Sequence, residues 1–231
     1  TGDMGGAVPL PKLVSNVIVG AHEDPNVWSS GNIRMTGATI RANGDVNITA
    51  RADAEMVSES YIRTYGFAGA GESEAHTILR HSSLIDLASG EIESRRGSIS
   101  ILSGADASGV QEQYQHAETR VHNRTAIPLS SDPDALAELR NKAFIDVGSG
   151  MSLVAAGDVN LETGDGITDP YAYGYAIDAY SEAAEAVGNF FGGLIGADEV
   201  SLARESGTYR SVAQTGVTVD GSIEAGAYAA K

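Results

Sequence analysis

The amino-acid sequence predicts an all-β protein wound as a parallel β-helix, a solenoid in which the short strands of successive turns stack on one another. Three observations predict this fold: blocks of sequence recur along the chain, apolar and polar residues alternate inside each block, and glycines end the alternating runs. Short strands cannot bury an apolar face alone. Stacked turns share one continuous core and pair their backbones about 4.8 Å apart.

The clearest repeat joins residues 84–104, LIDLASGEIESRRGSISILSG, to residues 144–164, FIDVGSGMSLVAAGDVNLETG, without a gap. Identical residues fall in these columns: Ile85/Ile145, Asp86/Asp146, Ser89/Ser149, Gly90/Gly150, Gly97/Gly157 and Gly104/Gly164. A third block at 33–50 aligns with one gap, and a weaker fourth at 217–226 contributes Val217, Val219 and Ile223. Equivalent residues lie 52 (85 − 33), 60 (145 − 85) and 72 (217 − 145) positions apart. Because one turn of a β-helix needs far less chain, we expect further turns or excursions between the blocks.

Taken in order, the chain is expected to begin with an extended arm over residues 1–15. Residues 16–231 then form a single β-helix domain with long loop excursions and two short helical insertions, at about 128–143 and 168–199. The first helix is predicted over 132–142, because Asp132 can cap it and Pro133 suits its first position. The second is predicted over 178–187, which is rich in Ala and Glu, and it leads into an apolar patch formed by Phe190, Phe191, Leu194 and Ile195.

The composition excludes several classes of function. Lys and Arg number 15 against 31 Asp and Glu, and the resulting net charge of −16 repels phosphate backbones, so nucleic-acid binding is not expected. The absence of cysteine excludes a disulfide framework, a thiolate metal site and a cysteine nucleophile. The longest apolar stretch, 190–197, is too short for a membrane span, which needs about 20 apolar residues. The chain begins at Thr1 without a leader, so we expect a processed form or a piece of a longer protein.

Two segments, IRANGDVNITA at 40–50 and LVAAGDVNLET at 153–163, share one pattern of apolar residues around Gly-Asp-Val-Asn. This pattern resembles the repeats of very large bacterial surface exoproteins of the filamentous-haemagglutinin and giant-adhesin kind. The resemblance implies a right-handed β-helix that is extracellular or held at the cell surface and serves in adhesion or matrix building. The same repeat pattern also occurs on autotransporter passengers and on pectin-cleaving enzymes.

Candidate chemical groups are few, and none is predicted to be catalytic. Asp86 and Asp146 occupy one repeat column and should form an acidic outer face, of the kind that holds Ca²⁺ or an acid/base pair in pectin-type enzymes. Asp165 and Asp169, beside Gly164 and Gly166, form the most calcium-like loop. No cofactor is expected to be required, and Ca²⁺ is the one that the sequence allows.

Three further residue types, His, Ser and Tyr, bear on possible chemistry. The spacings of the five histidines are expected to keep any two of them off one strand face, which argues against a histidine-based metal site. Ser29, Ser30, Ser82 and Ser83 lack the motif of a serine hydrolase, and no His or Asp partner can be assigned to them. Tyrosines 171, 173, 175 and 180 are candidates either for stacking on sugars or for packing.

The two ends of the predicted β-helix favour assembly. The repeat runs on through Val219, Ile223 and Tyr228 without a polar cap, and unpaired strand edges are templates for another chain. We therefore expect a homo-oligomer, a head-to-tail filament. The residues assigned to its contacts are Val8, Leu10 and Leu13 of the arm, the patch Phe190, Phe191, Leu194 and Ile195, and Val219, Ile223 and Tyr228.

The sequence thus favours an extracellular structural or adhesive protein, not an enzyme. One alternative is an adhesin module that binds glycans or another ligand on a cell surface. A second alternative is a polysaccharide lyase or hydrolase, which requires Asp86, Asp146 and an arginine to cluster.

Overall fold

The computed structural model describes residues 1–6, 8–20, 28–164, 166–180 and 202–228. Throughout these ranges the regular structure is β-strand, most strand pairs are parallel, and no helix occurs. The predicted all-β class and the parallel pairing are therefore confirmed. No helix in the described ranges is long and apolar enough to cross a membrane.

The strands, in chain order, are β1 Gly2–Gly6, β2 Lys12–Val19, β3 Ser29–Met35, β4 Ala38–Ala42, β5 Val46–Ala50, β6 Ala54–Gly69, β7 Glu72–Ser94, β8 Ile99–Ser103, β9 Ala105–Asp106, β10 Gly109–Val110, β11 Glu112–Pro128, β12 Asp132–Ala155, β13 Val159–Thr163, β14 Ile167–Tyr180, β15 Leu202–Ser206, β16 Thr208–Val219 and β17 Ser222–Ala225.

These strands form three main sheets. In sheet A the order is β1-β6-β11-β14-β15, with β15 antiparallel to β14 and the other pairs parallel. In sheet B, β7 pairs with β12; β2, β3 and β4 line the free side of β7, and β16 and β17 line the free side of β12. Sheet C has the order β13-β8-β5, and β9 and β10 form a small antiparallel hairpin. Along the chain the sheets are visited in the order A, B, C three times, followed by A and B once more.

The repeated blocks of the sequence are direct neighbours in the sheets. Ile33 is the register partner of Ile85, Ile85 of Ile145, and Ile145 of Val217. Each spacing of 52 (85 − 33), 60 (145 − 85) or 72 (217 − 145) residues therefore spans a single step from one strand to the next. The expectation of further turns between the blocks was wrong, because β7 and β12 are 23 and 24 residues long and one passage through the three sheets uses most of the interval.

The ungapped alignment of the repeats fails over a short stretch. The pairing of β12 with β7 shifts register between Val147 and Gly150, so that Ser89 pairs with Gly150 and Ile92 with Leu153. The original spacing returns at Ile99, which pairs with Val159. A bulge adds one residue to one strand, and here it keeps Leu153 in the buried column instead of turning it to the outside.

An apolar core lies between sheets B and C. Stacked columns of aliphatic side chains build it, and equivalent residues of successive strands occupy each column. Its buried members are Met35, Val46, Ala50, Ile85, Leu87, Ile92, Ile99, Ile101, Ile145, Val147, Met151, Leu153 and Ala155.

The space between sheets A and B is filled differently, by two small apolar clusters, centred on Met56 and on Ile62, and by many small and polar side chains. The amides of Gln113 and Asn141 hydrogen-bond to each other in both directions across this space. The Gln115 amide donates to the carbonyl of Glu138 (3.0 Å), and the Thr119 hydroxyl donates to the carbonyl of Ser73 (3.0 Å). Because buried polar groups are costly unless paired, these bonds tie the two sheets together at fixed positions.

The helix predicted over 132–142 was wrong, since these residues form the first half of β12. Asp132 and Pro133 are local helix-start signals, but Ala135, Ala137 and Leu139 are also buried at every second position. That alternation suits a strand held between β7 and β16, and tertiary pairing overrides the local signal. Of the second predicted helix, 178–180 belong to β14 and 181–187 lie outside the described residues.

Two of the repeated glycines are required for different reasons. Gly90 has φ of +129°, and a Cβ built there would lie 2.0 Å from the carbonyl oxygen of Ala38. Gly97 has an ordinary φ, but a Cβ would lie 2.3 Å from Oδ1 of Asp45, the residue before β5. The second case reflects the close approach of two neighbouring chain segments.

We predict that Leu153→Ala lowers the free energy of unfolding by about 2–5 kcal/mol, because it opens a cavity in a fully buried column. Val57→Ala is the matched control, since Val57 is exposed on β6, and it should change stability by about 0.5 kcal/mol or less. Urea unfolding followed by circular dichroism measures both. Equal losses in the two variants would contradict the proposed core.

Candidate functional site

The outer side of sheet A carries an unusual concentration of aromatic and charged side chains, which we call the aromatic face. Alternation along the strands produces it: Ser58, Ser60, Ala117 and Thr119 point inward and are buried, so their neighbours point outward. The aromatic face consists of Glu59, Tyr61, Arg63, Tyr65 and Phe67 on β6, Tyr114, His116, Glu118, Arg120 and His122 on β11, and Tyr171, Tyr173 and Tyr175 on β14.

One part of the aromatic face is a continuous ladder of rings. Tyr114 stacks with His116 (ring centroids 6.4 Å apart), and His116 stacks with Tyr171 on the next strand (4.7 Å). Along β14 the ladder continues from Tyr171 to Tyr173 (ring centroids 6.4 Å apart) and from Tyr173 to Tyr175 (6.2 Å). The shortest distance between rings, from His116 to Tyr171, equals the distance between paired strands. The pairing of β11 with β14 therefore determines how these two rings are spaced.

Another part combines aromatic rings with cations. Tyr61 meets the His122 ring edge to face at 5.3 Å, and the guanidinium of Arg63 lies 4.8 Å from the Tyr61 centroid. An open depression of about 480 Å³ lies here, lined by Tyr61, Arg63, Arg120 and His122 with Glu59 and Glu118. Burial lowers the pKa of His122 below its ordinary value, and the positive charges of Arg63, Arg120 and Arg124 lower it further.

Between these two parts, an imidazole faces two carboxylates. Nε2 of His116 lies 3.2 Å from Oε2 of Glu118 and 3.9 Å from Oε1 of Glu59. The other carboxylate oxygen of Glu118 accepts a hydrogen bond from Arg120. His116, Glu118 and Glu59 are therefore the described residues best placed to hold a metal ion.

The predicted acidic pair is brought together. Asp86 and Asp146 are register partners on β7 and β12, so their backbones lie one strand spacing apart. Arg34, the partner of Asp86 on β3, places its Nε 3.1 Å from Oδ2 of Asp86. The predicted acidic outer face is therefore a row of one arginine and two carboxylates across β3, β7 and β12.

The predicted calcium loop is described only in part. Asp165 lies outside the described residues, and Asp169 is an exposed residue of β14 whose register partner is Tyr114.

The residues predicted for assembly lie in different environments. Val8 and Leu10 are exposed, whereas Leu13 packs on the buried Ile62, Val121 and Ala176. The arm over 1–15 contains β1 and the start of β2, which pair with β6 and β7 of the same chain.

At the edge of sheet B formed by β16 and β17, Val219 and Ile223 are exposed. The Tyr228 hydroxyl donates a hydrogen bond to Glu93. The predicted patch of Phe190, Phe191, Leu194 and Ile195 lies outside the described residues.

Two histidine environments differ from those that the sequence predicts. His116 and His122 do share a strand face, contrary to expectation, because a spacing of six residues is an even number. Ser29 was given no partner, but its Oγ lies 2.9 Å from Nδ1 of His81, and burial lowers the pKa of that imidazole. The even spacing within β11 was a readable signal, whereas the contact between Ser29 and His81 spans two strands and has no local signature.

Comparison with known proteins supplies no relative from which a function can be transferred. No protein-family model matches the chain, and no curated protein or solved structure matches it significantly.

We predict that the His122 imidazole titrates below the ordinary histidine value of about 6.5, and that Arg63→Gln raises its pKa by removing one of the positive charges. NMR titration of the His122 ring measures both values. Because the folded pKa is lowered, the unfolded chain binds more protons between the two pKa values, so His122 lowers the free energy of unfolding as pH falls through this window. A pKa at or above 6.5 in the unsubstituted protein would contradict the described environment.

Proposed function

We propose that the chain is a right-handed parallel β-helix whose turns are the successive passages through sheets A, B and C. The repeated order of the sheets supports this, as do the parallel registers that link each passage to the next. Parallel strands joined by crossovers are right-handed in about 98% of known cases, which supports the proposed handedness.

We further propose that this β-helix is an extracellular or cell-surface structural and adhesive protein that stacks end to end into a filament. One observation carries the proposal. The columns of Val147 and Leu153, buried inside sheet B, continue into Val219 and Ile223 at its edge, where each is 42% exposed. Within the described part of the chain, no strand pairs with the outer edge of β16 and β17.

A second copy of the chain fits this edge. At the other edge of sheet B, Ile40 on β4 is the register partner of Ile92. It is the last residue of that column, and it is also exposed. Both edges are parallel strands with inward-facing aliphatic residues, so β3 and β4 of one copy can continue the columns that end at β16 and β17 of another. Such head-to-tail contacts are heterologous and build an open filament unless rotation closes a ring.

We predict that the protein forms regular fibres at micromolar concentration and that Val219→Lys with Ile223→Lys disperses them, because a buried ammonium group is costly. Leu129→Lys is the matched control, since Leu129 is 42% exposed in the turn between β11 and β12, away from both edges. Electron microscopy with EDTA and with Ca²⁺ tests the assembly and its independence of a cofactor. Circular dichroism checks that each variant folds. If the unsubstituted protein gives only dispersed particles at every concentration, the filament proposal is wrong.

A second candidate function is adhesion through glycan binding on the aromatic face. The ladder from Tyr114 to Tyr175 supports it, because the outward edges of regularly spaced rings offer apolar contact to sugar rings, and the tyrosine hydroxyls with nearby Arg and Glu side chains supply hydrogen bonds.

We predict that Tyr171→Ala weakens glycan binding about tenfold, or ~1.4 kcal/mol, by removing one ring of this contact surface. Tyr209→Ala is the control, since Tyr209 is 69% exposed on β16 and makes none of the described ring contacts. A glycan array followed by calorimetry measures binding. Cleavage of the bound oligosaccharide, abolished by Asp86→Asn, would instead favour the lyase or hydrolase built on Arg34, Asp86 and Asp146.

A further inference from the structure

The imidazole of His116 is held in a fixed orientation. Its ring stacks on Tyr114 at an interplanar angle of 17° and on Tyr171 at 12°, with β11 and β14 supplying the two tyrosines. Nδ1 faces the Tyr114 hydroxyl at 3.4 Å, which leaves Nε2 as the ring nitrogen directed at the carboxylates. A side chain held in this way loses little rotamer freedom when it binds a ligand.

Two carboxylates converge on Nε2 from different directions. Glu118 stands two residues further along β11, and its register partner Glu59 stands on β6. Arg120 binds one oxygen of Glu118, so that the other oxygen is turned to the imidazole. Glu118 is mostly buried, whereas the Glu59 side chain is 68% exposed and can adjust its position.

The spacing of these three atoms suits one metal ion. Zinc lies about 2.1 Å from nitrogen and oxygen ligands, so neighbouring ligand atoms around a tetrahedral ion are about 3.4 Å apart. The two distances from Nε2, 3.2 and 3.9 Å, lie on either side of that value. Arg120 then acts as an outer group that orients a ligand, a common feature of metal sites.

We propose that His116, Glu118 and Glu59 bind a divalent first-row transition-metal ion of the Zn²⁺ class on the outer side of sheet A. One nitrogen and two carboxylate oxygens are ligands that Zn²⁺ accepts, and imidazole favours it over Ca²⁺. The net charge of −16 attracts cations to the whole molecule. Three protein ligands leave a coordination position for water or an external ligand. The three ligands of this site are different from the residues predicted to bind calcium and from those assigned to assembly.

The test is a calorimetric titration of the intact chain with ZnCl₂ in a buffer that does not bind zinc. We expect one equivalent to bind with micromolar affinity, and ¹⁵N NMR to show a shift of His116 Nε2. His116→Phe, which preserves a ring between the two tyrosines, should weaken binding at least tenfold, and Glu59→Gln should weaken it less. His76→Phe is the matched control, because His76 faces one carboxylate, that of Asp134 at 3.1 Å.

Three outcomes would overturn the proposal: no stoichiometric binding by the unsubstituted protein, unchanged affinity in His116→Phe, or an equal loss in His76→Phe. The first of these would show that the imidazole bridges the two carboxylates as a hydrogen-bonding partner only. Circular dichroism of each variant ensures that a loss of binding is not a loss of fold. The measurement does not depend on filament formation or on glycan binding.

Discussion

The rest of the structure depends on the parallel pairing of β7 with β12. These are the two longest strands, and they run side by side from Asp132 opposite Glu72 to Ala155 opposite Ser94. Parallel pairing places equivalent residues of the repeat next to each other before the bulge, so the shared Ile85/Ile145 and Asp86/Asp146 become neighbours. The strands β2, β3 and β4 then align on β7, and β16 and β17 align on β12. A slip of one residue would turn every buried column outward, so the bulge after Val147 is needed to keep Leu153 inside.

The pairing creates an interior of two kinds. Towards sheet C the columns are aliphatic and gain stability from burial alone. Towards sheet A the interior is held by specific hydrogen bonds, of which the reciprocal pair between Gln113 and Asn141 is the clearest. Apolar packing tolerates small displacements, whereas paired amides require one relative position of the two sheets. The aliphatic region therefore supplies most of the driving force, and the polar region fixes where sheet A lies.

That fixed position also holds the side chains on the outer side of sheet A in a defined arrangement. Alternation frees every second side chain, and the register of β6, β11 and β14 sets those side chains in rows across the sheet. A ring ladder, the Arg63 guanidinium over Tyr61 and the group around His116 are all products of this arrangement. Rigid strands hold such groups more accurately than loops do. The edges of sheet B offer a different kind of surface, exposed aliphatic columns suited to another strand.

The sequence by itself determined the all-β class, the parallel pairing and the stacked columns outside the bulge of β12, because alternation and repetition can be read directly from the chain. It also assigned Asp86 and Asp146 to one repeat column, but only the register of β7 with β12 makes them direct neighbours. Only the tertiary structure decided that 132–142 is a strand, because the pairing of β12 on both sides outweighs the Asp-Pro signal at its start. It alone brought Glu59 to His116 across 57 residues (116 − 59), since that contact depends on the register between two strands and leaves no trace in either one.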